Sequence, residues 1–199
     1  MRFFVRARGS PARLGIFSGS FNPPTRAHLA VAHAGLAYTD EVVFIVPRVF
    51  PHKRFDGASF EERVAMLRAC IAEEPRFSVA STRKGLFIEI AHECRQAYGD
   101  GVALAFLCGR DAAQRIVEWD YGRPGAIDEM LAVFELLVAS RDGVYEPPER
   151  LAHRIAPLCV EENVAGISAT EVRTRIREGR PWEHLVPAAI CAQVREIYG

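Results

Sequence analysis

Strand-length apolar runs that alternate with helical patterns restrict this chain to few folds. Leu14 to Phe17, Glu41 to Val46 and Val102 to Leu107 are such runs, and Val133 to Ala139 is a fourth, interrupted by Glu135. They are continuous rather than alternating, so both faces of each strand must be covered, as in a parallel sheet between helical layers. Helical periodicity fills the gaps over Thr25 to Tyr38, Ser59 to Glu73, roughly Phe87 to Tyr98, and Asp111 to Val117. Ser59 and Glu62 open the second of these in the S-x-x-E capping pattern. Strands joined by helices are βαβ units, and the expected class is α/β with a doubly wound parallel sheet. Ligands of such sheets bind beyond the carboxyl ends of the strands, where the strand order reverses. Two further helical stretches follow Ser168, split by Gly179 and Pro181, and predict a small C-terminal helical subdomain over residues 168–199.

A chain of 199 residues supports one ordinary core, so residues 1–199 are expected to form a single domain. Residues 1–12 read either as a loose arm or as an extra edge strand, and Arg141 to Arg150, with Gly143, Pro147 and Pro148, reads as a loop. Lysine plus arginine, 25, equals aspartate plus glutamate, 25, so no global field favours nucleic acid or an anionic membrane. Any anion site must be local. The five cysteines, Cys70, Cys94, Cys108, Cys159 and Cys191, are odd in number and form no C-x-x-C pair. That argues against a disulfide framework and a zinc cluster, and for mostly buried thiols in a reducing cytosol. The start, MRFFVRARGS, has too short an apolar stretch for a signal peptide. The longest apolar runs, near Val102 to Cys108 and Leu131 to Ala139, fall well short of the roughly 20 residues of a bilayer span. The expectation is a cytoplasmic protein without nucleic-acid or membrane partners, with homo-oligomerisation left open.

The chain from Phe17 to His28 reads FSGSFNPPTRAH, leaving the first strand and starting the first helix. A turn of this kind needs small residues, but not a hydroxyl and an imidazole three positions apart. A helix starting near Pro24 or Thr25 leaves its first amides unpaired and carries about half an elementary charge there, so a phosphate is stabilised at that end. Gly19 and Ser20 allow close backbone approach, prolines suit a first helical turn, and Thr25 and His28 share one helical face. A purely structural account has Asn22 capping the helix and His28 packing. Near the other end, Gly166 to Arg173 reads GISATEVR. Ser168 and Glu171 make an S-x-x-E capping box, Val172 and Ile176 form an apolar stripe, and Thr170, Arg173 and Arg177 lie on another face. A helix start carrying a threonine and two arginines on one face is a second anion cradle.

Together these residues resemble the nucleotidyltransferase superfamily of adenylyl and cytidylyl transferases, whose signatures are G-x-F-x-P-x-[H/T]-x-x-H and S-x-T-x-x-R. Gly19, Phe21, Pro23, Thr25 and His28 match the first, and Ser168, Thr170 and Arg173 the second. Within that superfamily the chain looks most like the nicotinate or nicotinamide mononucleotide adenylyltransferases. Val46-Pro47 with Pro51-His52-Lys53, Gly109-Arg110-Asp111 with Trp119, Val138 to Arg141, and Leu185-Val186-Pro187 extend the likeness over most of the chain. The resemblance implies a Rossmann-like sheet and transfer of AMP from ATP to a mononucleotide 5′-phosphate, with magnesium, small nucleotide substrates and pyrophosphate release.

It also implies roles. His28 donates to the α- or β-phosphate, Thr25 and the amides of Gly19 and Ser20, beside Phe21, hold adjacent oxygens, and Ser168, Thr170 and Arg173 grip the β- and γ-phosphates. Gly109 and Asp111 serve the ATP side, where Asp111 takes a ribose hydroxyl. Lys53, Trp119, Glu89 and Arg141 serve the acceptor, with Lys53 reaching its phosphate and Trp119 stacking on a base. No metal ligand is assigned, because such ions are held mainly by phosphates and water. Structural accounts stand beside three of these: Lys53 as a solvated charge, Asp111 as a helix N-cap and Trp119 as core. The chain departs from the common bacterial pattern at Thr25, where histidine is usual, and at Ala27, where glycine is usual. The usual S-Y-T-x-D-T segment reads Gly85 to Ile90 here and keeps only the acidic position, Glu89. A different acceptor such as phosphopantetheine, or an ATP-binding sensor without catalysis, are the alternatives.

Overall fold

The computed structural model describes residues 1–48, 57–139, 145–160, 164 and 166–199. Its seven strands are β1 (Arg2–Val5), β2 (Arg13–Ser18), β3 (Glu41–Ile45), β4 (Phe77–Ser81), β5 (Ala103–Gly109), β6 (Glu135–Ala139) and β7 (Ile155–Leu158). The helices between and after them are α1 (Arg26–Gly35), α2 (Phe60–Cys70), α3 (Phe87–Tyr98), α4 (Arg110–Glu118), α5 (Ala126–Val133), α6 (Ala169–Arg177) and α7 (Cys191–Tyr198). The strands form one sheet in the order β1-β4-β3-β2-β5-β6-β7. All neighbours are parallel except β1, which lies antiparallel on β4. The chain winds outward from β2 to β4 on one side and from β5 to β7 on the other, so the order reverses between β2 and β5. This is the expected doubly wound, Rossmann-like α/β fold.

Alternate residues of each strand feed opposite faces. Leu14, Ile16, Val43 and Ile45 join the core under α3, α4 and α5, whereas Phe17, Val42 and Phe44 join the core under α1 and α2. A third cluster, built from Ile167, Val172, Trp182, Leu185, Ile190 and Val194, packs the C-terminal helices onto Ala27 of α1 and Met66 of α2. The C-terminal segment is therefore held against the helices that flank the first strand's exit.

Several expectations are corrected. Of the two readings of residues 1–12, the edge strand is the one observed for Arg2–Val5, which pairs antiparallel with β4; just beyond it the Ser78 hydroxyl accepts from the Ala7 amide and donates to the buried carboxylate of Glu41. The fourth predicted strand begins at Glu135, two residues later than its apolar run, since Val133 closes α5. β4, β7 and α5 were not legible as separate elements. Within Arg141 to Arg150, the first four residues lie outside the described ones, and Glu149–Arg154 forms a 3-10 turn. Cys94 and Cys108 are buried, with burial pushing the Cys108 thiol up to about 12, while Cys159 is exposed. No described helix is long and apolar enough to cross a membrane.

Candidate active site

The turn after β2 lies at the reversal of strand order. Gly19 donates its amide to the Ile45 carbonyl at 3.1 Å, which pins the turn to the neighbouring strand. Phe21 then takes a left-handed conformation, φ 47°, and drives its ring into the core, 1% exposed. A Cβ on Gly19 would stand 3.1 Å from that ring, so glycine here leaves room for phenylalanine two residues on. The Phe21 ring packs on Phe17, Phe44 and the imidazole of His28, with centroids 5.5, 5.6 and 5.3 Å away. The peptide bond between Asn22 and Pro23 is cis.

Thr25, not Asn22, caps α1. Its hydroxyl accepts from the His28 amide at 3.4 Å, and the His28 side chain accepts from the Thr25 amide. That second contact runs from the Thr25 N–H to His28 Nδ1 at 2.9 Å, with the Thr25 hydroxyl also 2.8 Å from Nδ1. A backbone amide can only donate, so Nδ1 of the neutral ring is the acceptor and Nε2 carries the proton. The cap thus turns the imidazole into a hydrogen-bond donor at Nε2, the group a phosphate oxygen needs. Thr25 itself is 0% exposed, with its hydroxyl engaged at His28. Its contacts fix the ring's orientation.

The second signature meets the first. Ser168 caps α6 by accepting from the Glu171 amide, but Glu171 turns to Arg175 at 2.6 Å, so only half of the predicted capping box forms. Arg173, half-buried one turn into α6, donates to the carbonyl of Asn22 at 2.5 Å and lies 3.4 Å from the Thr170 hydroxyl. Arg177 reaches back to the Arg173 carbonyl at 3.3 Å. Val172 is fully buried and Ile176 partly so. Residues 151 positions apart in the chain therefore share one turn.

Across the reversal point, β5 runs parallel to β2 with Ile16 opposite Phe106, which sets Gly109 level with Gly19. Gly109 is the N-cap of α4, so Asp111 is not the cap; it stands exposed in the first helical turn. Trp119 follows the end of α4 and is 58% exposed, so it does not belong to the core. Its indole lines a hollow of about 650 Å³ with Leu86, Phe87, Tyr121, Met130 and Arg115, within the usual range for a small-molecule pocket. Glu89 pairs with Lys84 at 2.9 Å and lines a second hollow of about 340 Å³ with Arg83 and Glu93, which adjoins the first at His92. Lys53, with Pro51 and His52, and Arg141 lie outside the described residues. Among the described residues, no group of three or more histidine, cysteine, aspartate or glutamate side chains is placed to hold a metal.

Asn22, expected only as a cap, and Arg63 and Tyr198, which belong to neither signature, also tie the turn. Asn22 Oδ1 accepts from the Ala58 amide at 3.2 Å and from the Tyr198 hydroxyl at 2.5 Å, while Arg63 donates to the Ser20 carbonyl at 2.9 Å. Nothing in local spacing announces contacts that span 43 and 176 positions.

A doubly wound sheet with two polar helix starts joined at its reversal point defines a nucleotidyltransferase. The chain belongs to the cytidylyltransferase-like family, whose model matches residues 16–175. Its relatives include probable nicotinate-nucleotide adenylyltransferases. That of Thermus thermophilus is 34% identical over 185 residues, covering 89% of this chain and 94% of the relative. That of Carboxydothermus hydrogenoformans is 30% identical over 193 residues, covering 90% and 93%. The fold is similar to that of a solved Plasmodium falciparum nicotinic acid mononucleotide adenylyltransferase complexed with NaAD, with a TM-score of 0.71 at 16% identity over 92% of this chain and 95% of that one.

Proposed function

We propose that this chain transfers the adenylyl group of ATP to the 5′-phosphate of nicotinate mononucleotide, releasing pyrophosphate and forming the dinucleotide precursor of NAD. The observation that carries this is the contact of Arg173 with the Asn22 carbonyl, which sets the start of α6 beside the turn that leads into α1. The names of the relatives, which this chain matches over nearly its whole length, support the choice of acceptor.

The chemistry asks little of the protein in proton transfer. A phosphate monoester has a second pKa of about 6, so the attacking oxygen is already ionised at neutral pH and no general base is needed. What must be supplied is alignment of two anions and stabilisation of charge on the phosphate oxygens. His28, held by Thr25 with Nε2 protonated, donates to the α- or β-phosphate. The Gly19 amide is already bonded to the Ile45 carbonyl, so the Ser20 amide serves an adjacent oxygen, and Ser168, Thr170 and Arg173 hold the β- and γ-phosphates. Asp111 and Gly109, at the end of the neighbouring strand, face the ribose side. Trp119, exposed over an apolar hollow, stacks on the acceptor base, and Lys53 and Arg141 address the acceptor phosphate. Magnesium arrives on the triphosphate as part of the substrate and neutralises its charge.

The deciding assay is pyrophosphate release from ATP and magnesium with nicotinate mononucleotide, nicotinamide mononucleotide and phosphopantetheine offered separately. Release with nicotinate mononucleotide is expected. Release only with phosphopantetheine would reassign the acceptor, and silence with all three alongside intact ATP binding would make the chain a sensor.

A further inference from the structure

The turn that carries the transfer chemistry is not self-supporting. Phe21 sits at positive φ, a strained conformation for a non-glycine residue that burial of its ring offsets, and further hydrogen bonds tie the turn. Two of those ties come from side chains outside both signatures. Arg63 of α2 is 4% exposed and donates to the Ser20 carbonyl at 2.9 Å. Tyr198, in the last turn of α7, donates to Asn22 Oδ1 at 2.5 Å, beside the Ala58 amide on the same oxygen. Asn22 is thus gripped at its side chain by Tyr198 and Ala58 and at its carbonyl by Arg173. Gly57, at φ 110°, leaves the space that the tyrosine ring fills, since a Cβ there would lie 2.8 Å from it.

We propose that Tyr198 and Arg63 are positioning residues for adenylyl transfer: they fix the Ser20 carbonyl and the Asn22 side chain, and through them the orientation of the Ser20 amide, His28 and Arg173 toward the triphosphate. The phenol is suited to this role over the whole physiological range, because burial pushes its pKa up to about 12 and it stays a donor. The proposal rests on the adenylyltransferase reading. It adds that the C-terminal helix takes part in aligning the phosphates although it touches none of them. A loosened turn would still bind ATP, since Ser168 and Thr170 belong to another element, but would align it poorly for in-line attack.

Tyr198→Phe removes one hydroxyl and keeps the ring. Steady-state pyrophosphate release with ATP and nicotinate mononucleotide is expected to show kcat down about tenfold, with KM for both substrates within about twofold. The melting temperature is expected to move by no more than about 4 °C. Arg63→Lys, which keeps a donor and a charge, should retain several-fold more turnover than Arg63→Met. Wild-type kcat in Tyr198→Phe, or equal turnover in the two Arg63 variants, would overturn the proposal while leaving the adenylyltransferase reading intact. Absence of pyrophosphate release by the wild-type chain with any acceptor would instead remove the reading, and the proposal with it.

Discussion

The two sides of the candidate site are built in opposite ways. On the side proposed to hold the phosphates the groups are tied down: Thr25 is wholly buried, His28 is held at Nδ1, Arg63 bonds Ser20, and Arg173, Tyr198 and Ala58 converge on Asn22. On the acceptor side, Leu86 and Trp119 stand 53% and 58% exposed around a wide, mostly apolar hollow. The contrast follows from what each side must do. Charge developing on phosphate oxygens is stabilised only by donors fixed before the reaction. A flat base is recognised by burying apolar surface and by stacking, which tolerate an exposed, adaptable wall. On the proposed reading, the phosphate side is expected to set the rate and the acceptor side the affinity.

Substitutions on the two sides should separate these quantities. The largest effect is expected for His28→Ala, which removes the Nε2 donor: kcat falls by roughly 10² or more with KM for ATP little changed, as single-turnover and steady-state kinetics would register. Arg173→Lys comes next, because lysine lacks a planar fork that can hold the Asn22 carbonyl and, on the proposed reading, a phosphate oxygen at once. A loss of about tenfold in kcat/KM for ATP is expected. Trp119→Ala is the smallest in turnover and the most telling for the contrast. It should raise KM for nicotinate mononucleotide about tenfold, corresponding to one lost stack, while KM for ATP stays constant. A fall in kcat in place of the rise in KM would place the indole on the phosphate side and erase the distinction.

The strands at the centre of the sheet were legible because β2, β3 and β5 are nearly unbroken apolar runs. β4 was not, since Ser78 and Ser81 interrupt it; both are buried, and the Ser78 hydroxyl is satisfied by Glu41, a partner from another strand. β7 was hidden by Pro157, which an edge strand tolerates and a central strand does not. α5 is eight residues that run into the next strand's apolar stretch, so its end and the start of β6 merged in the sequence. At the candidate site, the positions of His28 and Arg173 near the starts of two capped helices were legible because helical spacing and capping patterns are local. The division of labour within the first signature was not. The burial of Thr25 and its contact with His28 Nδ1 depend on the folded turn and leave no mark in the spacing. The contacts of Asn22 with residues 58, 173 and 198 are long-range and leave no local pattern.

A crystal structure with a non-hydrolysable ATP analogue and magnesium tests the central claim most directly. One triphosphate is expected in the cleft between the two helix starts, with an α- or β-phosphate oxygen at hydrogen-bond distance from His28 Nε2 and a β- or γ-phosphate oxygen at that distance from Arg173. A triphosphate that engages only one of these two side chains, or lies away from the turn between Gly19 and Asn22, would contradict the account.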